Sequence, residues 1–192
     1  MIKLFKWFAI GLGVLLLVFI ITGFLLPSRY SVERSLTINA SPDRIHQLVG
    51  DLRRWPEWTP WTEMDPTITT TYGSTTTGAG ASQVWSGESG GGELTFTQSD
   101  PLIGIDYEMS FDGEYFSDGV MRYEVTPTGT RVTWGMTGEM NNFIGRYMGL
   151  LMGSMVGPSF EAGLEKLKTA VESLPAMDSP MEEESGSVEA VG

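Results

Sequence analysis

The chain has 192 residues, 24 acidic against 12 basic side chains, a net charge of −12 and no cysteine. The lack of cysteine excludes disulfides, thiol nucleophiles and thiolate metal sites. The acidic balance excludes a nucleic-acid partner held by counterion release, and attraction to anionic lipid headgroups.

The first element is an apolar run without charge, residues 7–26 (WFAIGLGVLLLVFIITGFLL), between Lys6 and Arg29. At 1.5 Å per residue it is long enough to cross the ~30 Å hydrocarbon core of a bilayer. Residues 1–28 are therefore read as a single-pass transmembrane anchor, and the membrane as a partner reached through this helix. The competing reading is a cleaved secretory signal, whose apolar stretch runs about 7–15 residues and ends in small side chains. Here the run is longer and ends in Phe24, Leu25, Leu26 and Pro27. Lys3 and Lys6 on one flank nearly balance Arg29, Arg34 and Arg44 on the other, so the positive-inside rule decides little. The short N-terminal tail favours the N-terminus inside and the domain on the outer, non-cytoplasmic side of the cell membrane.

Residues 29–174 form one domain. Residues 30–38 (YSVERSLTI) alternate, with Val32, Arg34, Leu36 and Ile38 on one side. This predicts a first strand, with Arg34 near its exposed end. Asn39, Ala40, Ser41 and Pro42 stop it; Ser41 is a favourable N-cap and Pro42 a favourable first helical residue. Ile45, Leu48 and Val49 then set a helical stripe. A second short helical or turn segment covers residues 51–58.

Hairpins follow. Short strands are predicted at residues 68–72, at 83–86 around Trp85, and from Leu94 and Phe96 to a stop at Asp100-Pro101. The glycine cluster 87–92 is read as a turn. Ile103, Ile105, Tyr107, Met109 and Phe111 alternate with Gly104, Asp106, Glu108, Ser110 and Asp112, the period of a strand with one dry and one wet face. Met121, Tyr123 and Val125 repeat the pattern, as do Val132, Trp134, Met136 and Met140. The closing segment is helical. Phe143, Tyr147, Leu150, Leu151 and Met155 form one stripe, Gly157-Pro158 predicts a kink, and Phe160, Leu164, Leu167 and Val171 continue the stripe. From Pro175 the chain reads PAMDSPMEEESGSVEAVG, the composition of a disordered acidic tail over residues 175–192. The fold class is α+β: an antiparallel sheet, two short helices and a long C-terminal helix laid on the sheet's apolar face.

Four stretches carry a family resemblance. They are Ile38-Asn39-Ala40-Ser41-Pro42; Asp51-Leu52 with Trp55, Trp58, Pro60, Trp61 and Asp65-Pro66; Gly78-Ala79-Gly80 with Trp85 and Gly87; and Phe160-Glu161 with Gly163, Leu164, Leu167 and Lys168. In this order they resemble the SRPBCC or START-like helix-grip superfamily, which includes the Bet v 1-like plant proteins. The match is closest to membrane-anchored members of the polyketide cyclase/dehydrase-like group. The resemblance implies a curved sheet gripping the last helix around a mostly apolar cavity. It implies no universal catalytic residue.

Eleven methionines, six tryptophans, six tyrosines and nine phenylalanines suit such a cavity, because thioethers and rings make adaptable apolar linings. The ligand-pocket candidates are Trp85, Phe96, Tyr107, Met109, Phe111, Met121, Tyr123, Trp134 and Met136 on the sheet, with Phe160 and Leu164 on the last helix. The competing reading is an ordinary filled core. Trp55, Trp58 and Trp61 are expected to plug the gap between the short helices and the sheet. His46, the only histidine, has no second metal ligand near it in sequence; it is expected to be exposed and idle, and no metal or cofactor is expected. Asp106 and Glu108 face the wet side of their strand, and no carboxylate pair is directed to a shared cavity, as acid–base chemistry would require. Catalytic residues therefore stay unassigned. The reading taken is a membrane-anchored binding domain for a small apolar or amphiphilic ligand, lipid-like or polyketide-like. Its alternatives are a cyclase/dehydrase-type enzyme acting on such a ligand and a protein-interaction module with a filled cavity.

Overall fold

Hydrophobic alternation of period two becomes a seven-stranded antiparallel sheet in the computed structural model, which describes residues 2–175. The predicted acidic tail lies outside the described residues. Helix α1 (Ile2–Leu25) comes first. Its segment Phe5–Leu25 is long and apolar enough to cross a membrane. After Leu26, Pro27 and Ser28 the chain enters β1 (Arg29–Ile38). Then come α2 (Pro42–Val49), a 3₁₀ turn (Leu52–Glu57) and the one-turn α3 (Trp61–Met64). Strands β2 (Thr69–Tyr72), β3 (Ser82–Gly87), β4 (Gly90–Asp100), β5 (Gly104–Phe111), β6 (Tyr115–Thr126) and β7 (Gly129–Glu139) form a meander. Helix α4 (Phe143–Ser173) closes the chain.

The sheet order is β1-β7-β6-β5-β4-β3-β2, so the first strand pairs with the last and the rest pair with their neighbours in sequence. Register aligns the inward side chains into rows across the curved face. Arg34, Trp134, Met121 and Ile105 form one row. Val32, Met136, Gly119, Tyr107 and Phe96 form the next. Tyr30, Gly138, Ser117, Met109 and Leu94 form the third, at the end of the sheet nearest α1.

Helix α4 runs along β1 in the same direction. Gly149 passes Tyr30, Gly157 lies against the Arg34 guanidinium, and the Asn39 amide donates to Glu172 Oε1 at 3.1 Å. The approach is closest at Gly157, where a Cβ would collide with the Arg34 guanidinium, while at Gly149 it would touch Tyr30 at 3.9 Å. This corrects the single apolar stripe expected for α4. Leu150, Leu151 and Met155 point outward, because the side of the helix carrying Gly149 and Gly157 is the one that meets β1. Arg34 is likewise not at an exposed end; it lies under α4, with Nε donating to Glu161 Oε1 at 2.5 Å.

Three smaller expectations also change. The helix runs unbroken through Pro158; the proline is exposed, so the carbonyl left without a partner one turn back faces water. Ser41 occupies the N-cap of α2 without a side-chain bond, and Pro42 supplies the helical start. Gly90, Gly91 and Gly92 belong to β4 rather than to a turn. The Trp85 ring lies over Gly92, so a Cβ there would collide with it.

Candidate functional site

The tryptophan-rich segment after α2 feeds rings into the grip between sheet and helix. Trp134 is the hub. Phe160 of α4 stacks on it with centroids 4.1 Å apart and planes 7° from parallel, while Trp58 and Trp61 meet it edge-on at 5.2 and 6.2 Å. Trp55 continues the cluster to Trp58, Phe96 and Tyr107 at 5.3, 5.8 and 5.7 Å. Each buried indole finds an acceptor. Trp134 Nε1 donates to Tyr107 Oη at 2.8 Å, Trp55 Nε1 to the Val49 carbonyl at 2.9 Å and Trp58 Nε1 to the Leu48 carbonyl at 3.3 Å. Burial pushes the Tyr107 phenol well above its ordinary pKa, against the opposing effect of the Trp134 bond. It is a neutral acceptor, not a base.

The sequence-predicted pocket residues therefore divide. Phe96, Tyr107, Met121, Trp134, Met136, Phe160 and Leu164 are buried in or around this aromatic plug. Tyr123 is half-buried at the far end of the sheet. Trp85, Met109 and Phe111 are brought together at the α1 end, where cover is incomplete. Trp85 and Phe111 make a T-shaped contact at 5.7 Å across Gly92. Beside them, Tyr30 lies across Gly138 and its hydroxyl meets Ser117 Oγ at 2.8 Å. Met152 and Val156 of α4 are likewise half-buried and pack against the core.

A strap crosses between α4 and the turn that joins β3 to β4. Residues 61–68 are tied to α4 by the Glu63–Lys166 ion pair and by Ser159 Oγ donating to Met64 Sδ at 3.6 Å. At its other end Asp65 receives the Ser89 hydroxyl at 2.5 Å and amide at 3.0 Å, and the Thr67 hydroxyl at 2.5 Å and amide at 2.9 Å. These donors, the Ser89 and Thr67 hydroxyls foremost, hold the Asp65 carboxyl well below the usual carboxylate range. Sequence reasoning quoted Asp65 only as part of a family signature. The available signal was the Asp-Pro-Thr turn, since Asp bonds the backbone two residues on.

Titratable groups lie elsewhere. His46 is not idle: it is half-buried, with Nε2 3.0 Å from Ser99 Oγ and Nδ1 3.3 Å from Tyr123 Oη. Burial lowers its pKa, and the Asp100 charge opposes that in part. Asp106 pairs with Arg122 on the outer face, and Glu93 accepts from Ser110 Oγ at 3.3 Å. Among the described residues no His, Asp and Glu gather into a group that could hold a metal ion.

Residues 29–172 match the family described as polyketide cyclase/dehydrase and lipid transport. No curated protein matches the chain. Among solved structures, a Thermobifida fusca protein is similar at 19% identity and a TM-score of 0.57, over 73% of this chain and 92% of that one. A Thermus thermophilus protein aligns at 18% identity and a TM-score of 0.55, over 74% of this chain and 97% of that one. One from Chromobacterium violaceum aligns at 11% identity and a TM-score of 0.56, over 74% and 98%. At these identities the likeness concerns the helix-grip fold alone.

Proposed function

Because the chain belongs to the polyketide cyclase/dehydrase and lipid transport family, we propose that it is a membrane-anchored binding domain for a small apolar or amphiphilic ligand, lipid-like or polyketide-like. Helix α1 is the anchor and the domain stands on the non-cytoplasmic side. One observation carries the reading. The inward rows are mostly apolar, and their cover thins toward the α1 end, where Trp85, Met109, Met152 and Val156 are only partly buried. Apolar linings with few polar groups suit hydrophobic ligands, and tethering raises the effective concentration of binder near molecules that gather in bilayers. At this end the Tyr30 and Ser117 hydroxyls satisfy each other, and the Gln83 amide shares the row of Leu94 and Met109. They can orient an amphiphile's head but offer no acid–base pair, so binding is better supported than a cyclase or dehydrase reaction.

A second reading has its own support. The Trp58–Trp134–Phe160 plug fills the middle of the grip, as an interaction module with a filled interior would require. Mass spectrometry of molecules copurifying with residues 28–175 separates the two. Binding predicts an apolar small molecule that is lost in Met109→Trp, whose larger ring covers the thinly covered end of the sheet. A clean parent protein overturns it in favour of the filled module.

A further inference from the structure

Helix α4 changes character along its length. Beyond Gly157, Phe160, Leu164, Leu167 and Val171 are buried. Residues 143–156 (FIGRYMGLLMGSMV) hold a single charge, Arg146. Gly149 faces Tyr30 of β1, and a second apolar stripe, Ile144, Met148, Leu151 and Met155, recurs at helical spacing on the outside. Ile144 is 70% exposed, and Leu151 and Met155 are at least half exposed.

This stripe is continuous with the surface of α1. Tyr147 stacks on Phe19 at 4.5 Å and 10°, and its hydroxyl donates to the Phe19 carbonyl. Phe143 meets Phe19 at 5.5 Å and Phe24 at 5.8 Å. Arg146, the one charge, donates to the Phe24 carbonyl at 3.0 Å and so caps α1. An apolar wedge of about 630 Å³ opens between the helices, lined by Leu12, Leu15, Leu16, Phe19, Thr22 and Tyr147.

Length fixes the depth of this contact. The 21 residues Phe5–Leu25 match a ~30 Å hydrocarbon core with little to spare. Phe19 lies six residues before the end of that segment, roughly 9 Å inside it at 1.5 Å per residue. Side chains touching Phe19 are therefore below the hydrocarbon boundary, and the start of α4 must dip there with them. Interfacial helices bury their apolar face by a similar ~5–10 Å.

We propose that residues 143–156 of α4 lie in the interface of the bilayer that α1 spans, with the outward stripe in lipid, so that the thinly covered end of the sheet beneath Met152 and Val156 stands at the membrane surface. The proposal rests on the reading of α1 as a spanning anchor. The occupant is zwitterionic lipid, since a net charge of −12 gives no attraction to anionic headgroups.

The chain has no cysteine, so single labels are unambiguous. The full-length variants Leu15→Cys, Leu151→Cys, Met155→Cys and Thr169→Cys are spin-labelled and placed one copy per phosphatidylcholine nanodisc. Accessibility to oxygen is compared with accessibility to a water-soluble nickel chelate. The expected result is an oxygen-to-nickel ratio severalfold higher at positions 15, 151 and 155 than at 169. A high ratio at 15 with 151 and 155 resembling 169 leaves the anchor standing and overturns the docking. A low ratio at 15 overturns the anchor and the docking together. Shielding of 151 and 155 from both reagents means that protein covers the stripe, which also overturns the proposal.

Discussion

Tyr107 of β5 and Trp134 of β7 show how one hydrogen bond satisfies the buried hub of the aromatic plug. Tyr107→Phe leaves the Trp134 indole N–H buried without its acceptor. The expected loss is about 1–3 kcal/mol in urea unfolding, with far-UV dichroism unchanged. His46 gives a second test. Its folded pKa lies below the ordinary 6.5, so at mildly acid pH the unfolded chain binds more protons than the native one. The stabilisation that follows is full above about pH 6.5 and fades as pH falls below that value. Melting temperatures measured from about pH 7.5 down to about pH 5.5 should fall, and His46→Gln, which bonds but does not titrate in this range, should flatten the profile. The role of His46 was hidden from a sequence reading because Ser99 and Tyr123 lie 53 and 77 residues away along the chain.

At the level of elements, the glycines of α4 should respond with opposite signs. A Cβ at Gly153 meets nothing within 4 Å, whereas at Gly163 it meets the Trp134 ring at 2.7 Å. Gly153→Ala should stabilise by up to about 1 kcal/mol through helix propensity. Gly163→Ala should cost about 1–3 kcal/mol, because the indole is wedged between other rings and cannot yield. Chemical denaturation of the two variants decides both signs. For the strap, Asp65→Asn weakens the charge-assisted bonds to Ser89 and Thr67. Faster amide exchange at residues 61–68 and 87–90 than in the parent is the expected readout. Strands such as β5 were legible in the sequence because period two is visible over eight residues. Helix α3 was not, since four residues are too few to show a helical period. The glycines of β4 read as a turn until the Trp85 ring is seen lying across them. In α4 the apolar residues were visible, but two stripes were merged into one because nothing local says which side meets β1.

For the molecule as a whole, the buried hydrophobic core among the described residues contains none from α1. Residues 28–175 should therefore fold alone, with a strand-rich dichroism spectrum and a cooperative melt; a non-cooperative melt would show that α1 belongs to the folding unit. The helix-grip architecture was readable because alternation, a long closing helix and ordered signatures agreed across the chain. Which part of the grip is filled was not readable, since alternation says which way a ring points and not whether its neighbours leave room.

Only Leu26, Pro27 and Ser28 separate α1 from β1, a link of about 10 Å at full stretch. With α1 in a bilayer, the domain has almost no leash. It cannot roam the surrounding fluid or bridge a gap to a facing surface, and its reach is the patch of lipid under its own footprint. On the proposed reading, a ligand taken from that bilayer arrives by lateral diffusion, and hand-over to a distant acceptor requires a soluble courier or the approach of the second membrane itself.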